Sequence, residues 1–506
     1  MFLIYPTRET ALSLSKKYQL IPLCKRVLAD TETPIRLYAR VKDQPYSFLL
    51  ESVEESEHRS RYSFIGYDPF LTVKGKGTEI TTTKRNGESQ KTVTPSPFAF
   101  LQSMLEQYQT PVYKDFPSFL GGAVGYTGYD AIRFKEPDRK VTKGTSDQND
   151  LHYMFVDRLL VFDHLKEEVI FVSHLKVSPG MSNQEIKEAY DQEADRLEKW
   201  SSEFLKKPGP VPSLSFEERE VSEQDVKADV SKDEFMQMVK QTKEYIQNGE
   251  VLQVVLARSL TVDPAPPSFE VYRALRVLNP SPYMYYLNFG DEKVVGTSPE
   301  VLVRVTGSTA ETCPIAGTRP RGKDELEDQA LMEDLLQDQK ERDEHVMLVD
   351  LGREDIGRVA KVGTVKVPDY MKIEKYSHVM HLVSRIQGEL KEGKKPMDAL
   401  LACFPAGTLS GAPRVRAMEI IADLEASPRG IYGGALGYFS FSGDMDKCIT
   451  IRTIVFRDGK AQVQSGAGIV AGSDPEREYF ETWHKAKGML KALAMVRPEK
   501  AGSSVG

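Results

Sequence analysis

Cysteine is scarce in this chain, and no cysteine stands in a pattern that would recruit a metal or a partner thiol. Cys24, Cys313, Cys403 and Cys448 are the four cysteines among 506 residues, and none lies in a CxxC or CxxH pair. Those spacings mark zinc sites, and dense cysteines mark the disulfide frameworks of small secreted domains. The sequence therefore predicts reduced thiols and a cytoplasmic location.

Long apolar runs, basic tracts and phosphate-binding loops are also missing. The start MFLIYPTRET has a short apolar run without a cleavage site, so we expect no signal peptide, and no stretch is long enough for a membrane span. The formal net charge is −7 without any long Lys/Arg run, which gives no support to nucleic-acid binding. No GxxxxGK[ST] is present, and no GxGxxG stands between a strand and a helix, which argues against a nucleotide-binding protein.

What is present is the composition of a large globular protein, with 40% apolar and 28% charged residues. The best candidate boundary is the Pro-rich KKPGPVPS with the acidic stretch that follows it. We therefore divide the chain into a region 1–205, a linker 206–230 and a region 231–495. Strand and helix patterns in both regions predict an α/β (α+β) fold, in which a large, mostly antiparallel β-sandwich has helices packed outside.

Capping residues specify two helix starts in the second region. Ser231 and Glu234 form a capping box, and Ser473 with Glu476 has the same pattern around Pro475. Both precede apolar residues at helical spacing, so two amphipathic helices are predicted there.

Two glycine-rich segments echo each other across the linker. They are Gly121-Gly-Ala-Val-Gly-Tyr126 and Gly433-Gly-Ala-Leu-Gly-Tyr438. Glycine in a strand permits close backbone approach. The echo fits either duplicated halves or two strands packed side by side.

Two predicted helices each carry a Glu-x-x-Glu pair, Glu341 with Glu344 and Glu478 with Glu481. A spacing of three places both carboxylates of a pair on one helix face. If folding gathered the four carboxylates, they would repel one another unless a hard cation such as Mg²⁺ lay between them. The alternative is two solvated helix faces, with Glu481 paired to Lys485.

Ten blocks between about residues 250 and 490 carry a family resemblance. They are GEVLQVVLAR, NPSPYMYYL, GTSPE, PIAGTRPRG, KERDEHVMLVDLGREDIGRV, KYSHVMHLVSRIQG, CFPAGTLSGAPRVRAMEII, RGIYGGALGY, ITIRT and GAGIVAGSDPEREYFETWHKAK. This series resembles the chorismate-utilising enzymes, which makes 231–495 the expected chorismate-binding catalytic region. LLES, RYSFIGYDP and FLGGAVGYTGYD resemble the amino-terminal region of anthranilate synthase large subunits.

The resemblance implies a Mg²⁺ cofactor and a dianionic substrate. Glu341, Glu344, Glu478 and Glu481 are the implied metal residues, with Glu344 and Glu481 as direct ligands. The implied substrate-binding residues are Gly466, Ala467, Gly468 and Lys485 for the ring carboxylate, Arg452 and Tyr432 for the enolpyruvyl carboxylate, and Gly317 with Thr318. From the residues alone, the glycines could form a sharp turn, and Arg452, in the apolar strand CITIRTIVF, could pair with a protein carboxylate.

Three residues receive implied catalytic roles. His381 helps to aromatise the ring, Glu300 acts as the general acid for the departing ring hydroxyl, and Thr408 reaches substrate oxygens. Without the resemblance, His381 on a mostly apolar segment would be interpreted as structural, and Glu300 as a turn residue.

Ala316 distinguishes among the sister enzymes. Members that attack the ring with water or through a covalent intermediate carry lysine here, because lysine can activate water or act as a nucleophile. Alanine can do neither, so the sequence resembles the anthranilate-forming branch, which converts chorismate and ammonia to anthranilate and pyruvate in the first committed step of tryptophan biosynthesis. No cysteine lies in a Gly-x-Cys-x-Gly turn, so a separate glutamine amidotransferase subunit is implied, in a heterotetramer.

Two further segments resemble those of the family's tryptophan feedback pocket. The implied contacts are Glu51 and Ser52 in the first segment and Pro282, Tyr283 and Met284 in the second. Either segment alone would be interpreted as a strand end or a Pro-bounded turn. Both together predict feedback inhibition by tryptophan.

Two alternative functions remain open. One is a 4-amino-4-deoxychorismate synthase component, against which Ala316 argues, and the other is a non-catalytic, tryptophan-binding regulatory subunit. Four positions depart from the family pattern, and their effect falls on the rate rather than the reaction: Glu354, Arg414, Gly472 and His484.

Overall fold

The computed structural model describes residues 4–52, 61–144, 146–209, 211, 220–375 and 379–496. Within these residues the strands, β1 to β24 in chain order, are Leu20–Leu28, Ser47–Glu51, Tyr62–Tyr67, Leu71–Lys76, Glu79–Lys84, Ser89–Val93, Gly122–Thr127, Leu151–Val156, Leu159–Asp163, Glu168–Lys176, Lys227–Ala228, Gln253–Val262, Tyr283–Asn288, Glu292–Ser298, Val301–Thr306, Thr309–Thr312, Ile315–Pro320, Lys366–Lys375, Val379–Glu389, Gly411–Ala412, Ala435–Ser440, Met445–Ile449, Thr453–Arg457 and Lys460–Ile469.

The α-helices, α1 to α12 in chain order, are Arg8–Leu14, Pro34–Ala39, Pro97–Glu106, Asn183–Lys206, Lys232–Gln247, Ser268–Leu278, Glu325–Gln337, Gln339–Val359, Pro396–Cys403, Gly407–Ser410, Arg414–Leu424 and Pro475–Met495. Two 3₁₀ turns cover Tyr129–Phe134 and Glu223–Asp225. None of the helices described here combines the length and apolar character that a membrane span requires.

Two sheets of 12 strands organise the fold. The first has the order β1-β10-β9-β3-β2-β13-β14-β23-β24-β12-β11, with β20 beside β12. The second has the order β17-β19-β16-β15-β22-β21-β7-β8-β4-β5-β6, with β18 beside β19. The pairings are antiparallel throughout these ladders, and the predicted fold class is confirmed.

An apolar layer joins the two sheets. Phe48 and Tyr285 of the first sheet and Val124 and Leu436 of the second belong to one buried cluster. Helices α6 and α12 pack on the first sheet, and α8 and α9 on the second. Burial on both sides of each sheet explains why many strands are continuous apolar runs.

Strands from both sides of the predicted linker pair within each sheet. In the first sheet β2 pairs with β13, and in the second β7 pairs with β21. The two glycine-rich segments are thus neighbouring strands, and Gly125 lies directly opposite Gly437. A β-carbon would lie 1.9 Å from the His152 carbonyl oxygen if added at Gly125, and 2.1 Å from that of Asp446 if added at Gly437. Close backbone approach therefore requires glycine at both positions.

The two predicted helix starts have different outcomes. The capping box of Ser231 and Glu234 is confirmed. The cap at Ser473 is wrong, because Asp474 is the N-cap of α12 and accepts from the Arg477 N–H. Ser473 instead closes the preceding turn: its hydroxyl accepts from the Val470 N–H and its carbonyl from Lys243 Nζ.

Candidate active site

Seven of the predicted substrate and catalytic residues line one cavity of about 110 Å³ between the two sheets and α12. They are Glu300, Thr408, Tyr432, Arg452, Gly466, Gly468 and Lys485. They come from six separate parts of the chain, so only folding gathers them. The cavity contains cationic groups, a carboxyl group and backbone donors, which suits a small anionic ligand.

Arg452 stands where the chain crosses from one sheet to the other. The sequence predicted a single apolar strand here, which is wrong: β22 ends at Ile449 in the second sheet and β23 begins at Thr453 in the first. Arg452 adopts a left-handed backbone, with φ of 52°. A non-glycine residue in that conformation is strained, and such strain clusters at functional sites. The crossover directs the guanidinium into the cavity.

The Arg452 guanidinium has no ion pair with any carboxylate of the described residues. Its Nη1 donates to the Lys485 carbonyl. Burial lowers the pKa of Arg452, and the charges of Glu300, Tyr432 and Glu481 only partly oppose that effect. A cation held in this way gains from an anionic ligand.

The segment 466–468 is part of a β-strand and not the sharp turn that the residues alone left open as an alternative. Gly466, Ala467 and Gly468 lie in β24, opposite Ala257, Leu256 and Val255 of β12. The Ala257 N–H donates to Glu425, and the Gly466 carbonyl accepts from Lys485 Nζ at 3.1 Å.

These bonds show which backbone groups face the cavity. Because alternate residues of a strand direct their N–H and C=O groups to the same edge, the N–H groups of Gly466 and Gly468 face away from β12, whereas Ala467 is bonded to β12. Ala467 accordingly does not line the cavity. A β-carbon on Gly466 would lie 2.9 Å from Tyr432 Oη, so glycine keeps this edge open.

Glu300 and Thr408 form the polar pair of the cavity. The Thr408 hydroxyl donates to Glu300 Oε2 at 3.3 Å. Burial raises the pKa of Glu300, although Lys485, Arg452 and Thr408 act in the opposite direction. A carboxyl group with a raised pKa retains its proton nearer to neutral pH, as a general acid must.

His381 lies beside this cavity, on β19. Its Nδ1 is 2.9 Å from the Gly317 carbonyl oxygen and 3.1 Å from Thr318 Oγ1. The register of β17 shifts between Ala316 and Thr318, and Gly317 has φ of 69°. Burial lowers the pKa of His381, and the charge of Arg452 lowers it further. A carbonyl at Nδ1 favours the tautomer protonated there, which gives Nε2 the acceptor lone pair of a base.

The two acidic pairs lie near the starts of two different helices. Glu341 and Glu344 lie on α8, and Glu478 and Glu481 lie on α12. Burial raises the pKa of Glu341 with a further contribution from Glu344, and burial raises that of Glu478 with a contribution from Glu481. The positive charge of Lys340, on α8, acts on Glu478 across the gap.

The carboxylates on the two helices have the oxygen donors that a divalent cation prefers, but they form no closed cage. The described residues contain no group of three or more His, Cys, Asp or Glu side chains arranged to hold a metal. The Glu481 carboxylate is 2.7 Å from Lys485 Nζ. Mg²⁺ is ordinarily held by one or two carboxylates together with waters and substrate oxygens. The raised pKa values of Glu341 and Glu478 mean that their ionised forms are disfavoured, and a bound cation would stabilise those forms.

The sequence did not predict a buried ion pair, Arg429 with Glu425, beneath the cavity. Arg429 donates to Glu425 and to the carbonyls of Leu409 and Val255, and Glu425 also accepts from Ala257. The pair thereby holds the segment after Thr408 against β12. The available signal was a Glu-x-x-x-Arg pair within the apolar sequence IIADLEASPRGIY.

A second cavity, of about 320 Å³, contains all five residues predicted for tryptophan: Glu51, Ser52, Pro282, Tyr283 and Met284. We call it the regulatory pocket. The Ser52 hydroxyl is buried without a hydrogen-bond partner in the described residues. The Tyr283 hydroxyl donates to Asp446 at 2.8 Å, and Arg304 donates to the same carboxylate at 2.9 Å. Sequence analysis missed Arg304 and Asp446, since neither stands in a predicted segment.

The four departures from the family pattern lie around the site rather than in it. Glu354 pairs with Arg358 on the solvent side of α8. Arg414 pairs with the buried Asp355 at 2.7 Å. Gly472 precedes α12, and His484 is exposed on that helix. None of these four residues lines the active-site cavity.

Comparison with known proteins accounts for this arrangement. A family model described as chorismate binding enzyme matches residues 46–491. Anthranilate synthase component 1 of Acetivibrio thermocellus is 49% identical, over 97% of this chain and 99% of its own length. The component 1 of Aquifex aeolicus is 44% identical, over 96% and 97%. The crystal structure of anthranilate synthase component I from Streptococcus pneumoniae superposes with a TM-score of 0.72 at 36% identity, covering 92% of this chain and 98% of that one.

The chain belongs to the chorismate-binding enzyme family and, within it, to the component 1 chains of anthranilate synthase. A more distant structure shares the fold alone: the isochorismate synthase MenF of Escherichia coli, with a TM-score of 0.66 at 21% identity.

Proposed function

We propose that this chain converts chorismate and ammonia to anthranilate, pyruvate and water in the cytoplasm, with Mg²⁺ as cofactor and a glutamine amidotransferase subunit as ammonia source. The observation that carries the proposal is the cavity in which Arg452, Lys485 and two strand-edge N–H groups surround Glu300. Chorismate is a dianion, and these donors match its two carboxylates.

The substrate is positioned by the protein's own donors. Arg452 and Tyr432 bind the enolpyruvyl carboxylate, while the N–H groups of Gly466 and Gly468, with Lys485, bind the ring carboxylate. Mg²⁺, when bound through Glu344 and Glu481 with Glu341 and Glu478 nearby, supplies positive charge to that ring carboxylate. Ala316 leaves space for ammonia and offers no group that could activate water.

Glu300 and His381 divide the proton transfers of the reaction. Glu300 donates its proton to the C4 hydroxyl, which leaves as water while ammonia forms the bond at C2, and the new ammonium group returns a proton to the Glu300 carboxylate. His381 then accepts the C2 proton through Nε2 as enolpyruvate leaves the ring, which becomes aromatic, and the enolpyruvate takes a proton from water to give pyruvate. The raised pKa of Glu300 and the lowered pKa of His381 support this division into acid and base.

One assay tests the reaction and the metal residues together. The purified chain, chorismate, Mg²⁺ and an ammonium salt at alkaline pH should give anthranilate fluorescence without a partner subunit. Glu481→Gln should abolish it, while Glu476→Gln, a change at an exposed residue of the same helix that pairs with Lys232, should not. Full activity of Glu481→Gln would exclude the metal assignment. Formation of an aminated product without release of pyruvate would favour the aminodeoxychorismate synthase alternative.

We also propose that tryptophan inhibits the enzyme from the regulatory pocket. The unpartnered Ser52 hydroxyl and the aromatic and apolar walls suit an amino acid with an indole ring. Ser52→Phe should fill the pocket and relieve inhibition while leaving the uninhibited rate unchanged. Inhibition of the same strength in that variant would reject the assignment.

A further inference from the structure

A third cavity, of about 530 Å³, is larger than both the active-site cavity and the regulatory pocket. It lies between the segment 29–35, strand β9 with the turn that follows it, and helix α6. None of the residues assigned above to substrate, metal or tryptophan lines it. We call it the α6 cavity.

The cationic groups of the α6 cavity come from one helix. Arg273 and Arg276 lie one turn apart on α6 and both line the cavity. Arg273 Nη1 is buried and has no hydrogen-bond partner among the described residues. Burial lowers the pKa of Arg273, with only Glu270 acting in the opposite direction. Such a guanidinium gains free energy when an oxyanion supplies the missing acceptor.

The acidic residues of the same cavity do not satisfy these arginines. Glu32 pairs with Arg40 at 2.6 Å. Asp30 and Glu167 are exposed at the rim and form no ion pair in the described structure. The cavity is therefore basic along α6, while the segment 29–35 contributes Glu32, whose Oε2 is buried without a hydrogen-bond partner among the described residues.

The remaining walls are apolar, and they restrict the kind of anion that fits. Pro34, Ile35, Phe162 and Val277 line the cavity beside the arginines. An anion with an apolar body would bury these surfaces as well as satisfying Arg273. Inorganic phosphate could use only the arginines.

Arg276 connects the α6 cavity to the regulatory pocket. Its Nε is 3.1 Å from Glu51 Oε2, and Glu51 lines the regulatory pocket. Tyr272 donates to the same Glu51 oxygen. An anion that draws Arg276 toward itself would leave the Glu51 carboxylate with less compensated negative charge, and thus better able to bind an ammonium group.

We propose that the α6 cavity is a binding site for a small carboxylate with an apolar body, which competes with Glu51 for Arg276 and thereby strengthens binding in the regulatory pocket. The coupling to tryptophan rests on the proposed regulatory function, whereas carboxylate binding itself does not.

Titration calorimetry with benzoate tests the site directly. Wild-type protein should bind benzoate, and Arg273→Ala should weaken that binding about tenfold or more, because a charged hydrogen bond is lost. Arg196→Ala, a change at an exposed residue of α4, is the matched control and should bind as wild type does. Ser52→Phe should also retain benzoate binding, since it blocks only the regulatory pocket. Absence of binding to wild type, or equal binding to Arg273→Ala, overturns the site.

Tryptophan titrations with and without saturating benzoate test the coupling. Tryptophan affinity should rise about fivefold or more with benzoate present, and benzoate affinity should rise by the same factor with tryptophan present. Inorganic phosphate should bind more weakly than benzoate, and tighter phosphate binding would overturn the apolar-body specificity. Benzoate binding with unchanged tryptophan affinity overturns the coupling. If tryptophan fails to bind at all, the regulatory function fails while the benzoate result still decides the site.

Discussion

Replacing Arg452 with methionine should separate substrate binding from folding. Arg452 is half-buried in the active-site cavity without an ion pair in the described structure, and desolvation lowers its pKa, so the folded protein disfavours this charge. Methionine is of similar length and carries no charge. It also meets the same left-handed backbone, with φ of 52°, so the strain there is unchanged.

The magnitude follows from the loss of a buried charge partner. Removing one member of a buried, hydrogen-bonded charge pair costs about 2 to 5 kcal/mol. At roughly 1.4 kcal/mol for each tenfold change, kcat/KM for chorismate should fall from about 30-fold to several thousand-fold. The free energy of unfolding should stay within about 0.5 kcal/mol of wild type or increase, because the ligand-free protein loses an unpaired charge.

Anthranilate fluorescence and urea unfolding measure the two effects on the same samples. Arg457→Met is the matched control: Arg457 lies on β23, is partly exposed and pairs loosely with Asp458 at 3.5 Å. It should leave both quantities close to wild type. Wild-type kcat/KM in Arg452→Met would refute substrate binding by Arg452, and a loss of about 3 kcal/mol in unfolding free energy would show that its role is structural.

Three further substitutions test the buried charges. The pKa of Glu300 is raised in the folded protein, so its carboxyl group should lower wild-type stability as pH rises from about 4.5 to that pKa. Urea unfolding at graded pH should therefore show a smaller decline in Glu300→Gln than in wild type, and an unchanged curve would reject this. Arg429→Met should cost about 3 to 5 kcal/mol in the same assay, because it leaves Glu425 buried and unpaired; a cost below 1 kcal/mol contradicts this. Lys447 is buried against two aromatic rings with its pKa lowered, so Lys447→Met should raise the melting temperature at pH 7, with a difference that narrows toward pH 10 as the unfolded chain loses its proton; a lower melting temperature would count against it.

Local patterns predicted much of the fold, and the motif series predicted seven of the residues that line the active-site cavity. The capping box at Ser231 and the antiparallel sheets follow from spacing and strand content. The apolar run around Arg452 did not reveal the crossover, because both flanking strands are buried and have similar apolar sequences. The crossover is decided by which sheet each strand joins, which is a tertiary choice.

Other features of the sites depend on pairs that lie far apart in the chain. Arg276 and Glu51 are separated by more than 200 residues, so no local pattern links them. Likewise Ala467 differs from its glycine neighbours only through the partner strand β12. Resemblance identified the three residues together, and only the register of the strands tells which of them offer free N–H groups.

The pairing of β2 with β13 and of β7 with β21 bears on what happens when the polypeptide is severed between residues 205 and 231. The two fragments would remain associated, since each supplies strands to the interior of both sheets. Expressed separately, each fragment would expose unpaired strand edges and aggregate. Co-expression of the two fragments should restore an active enzyme.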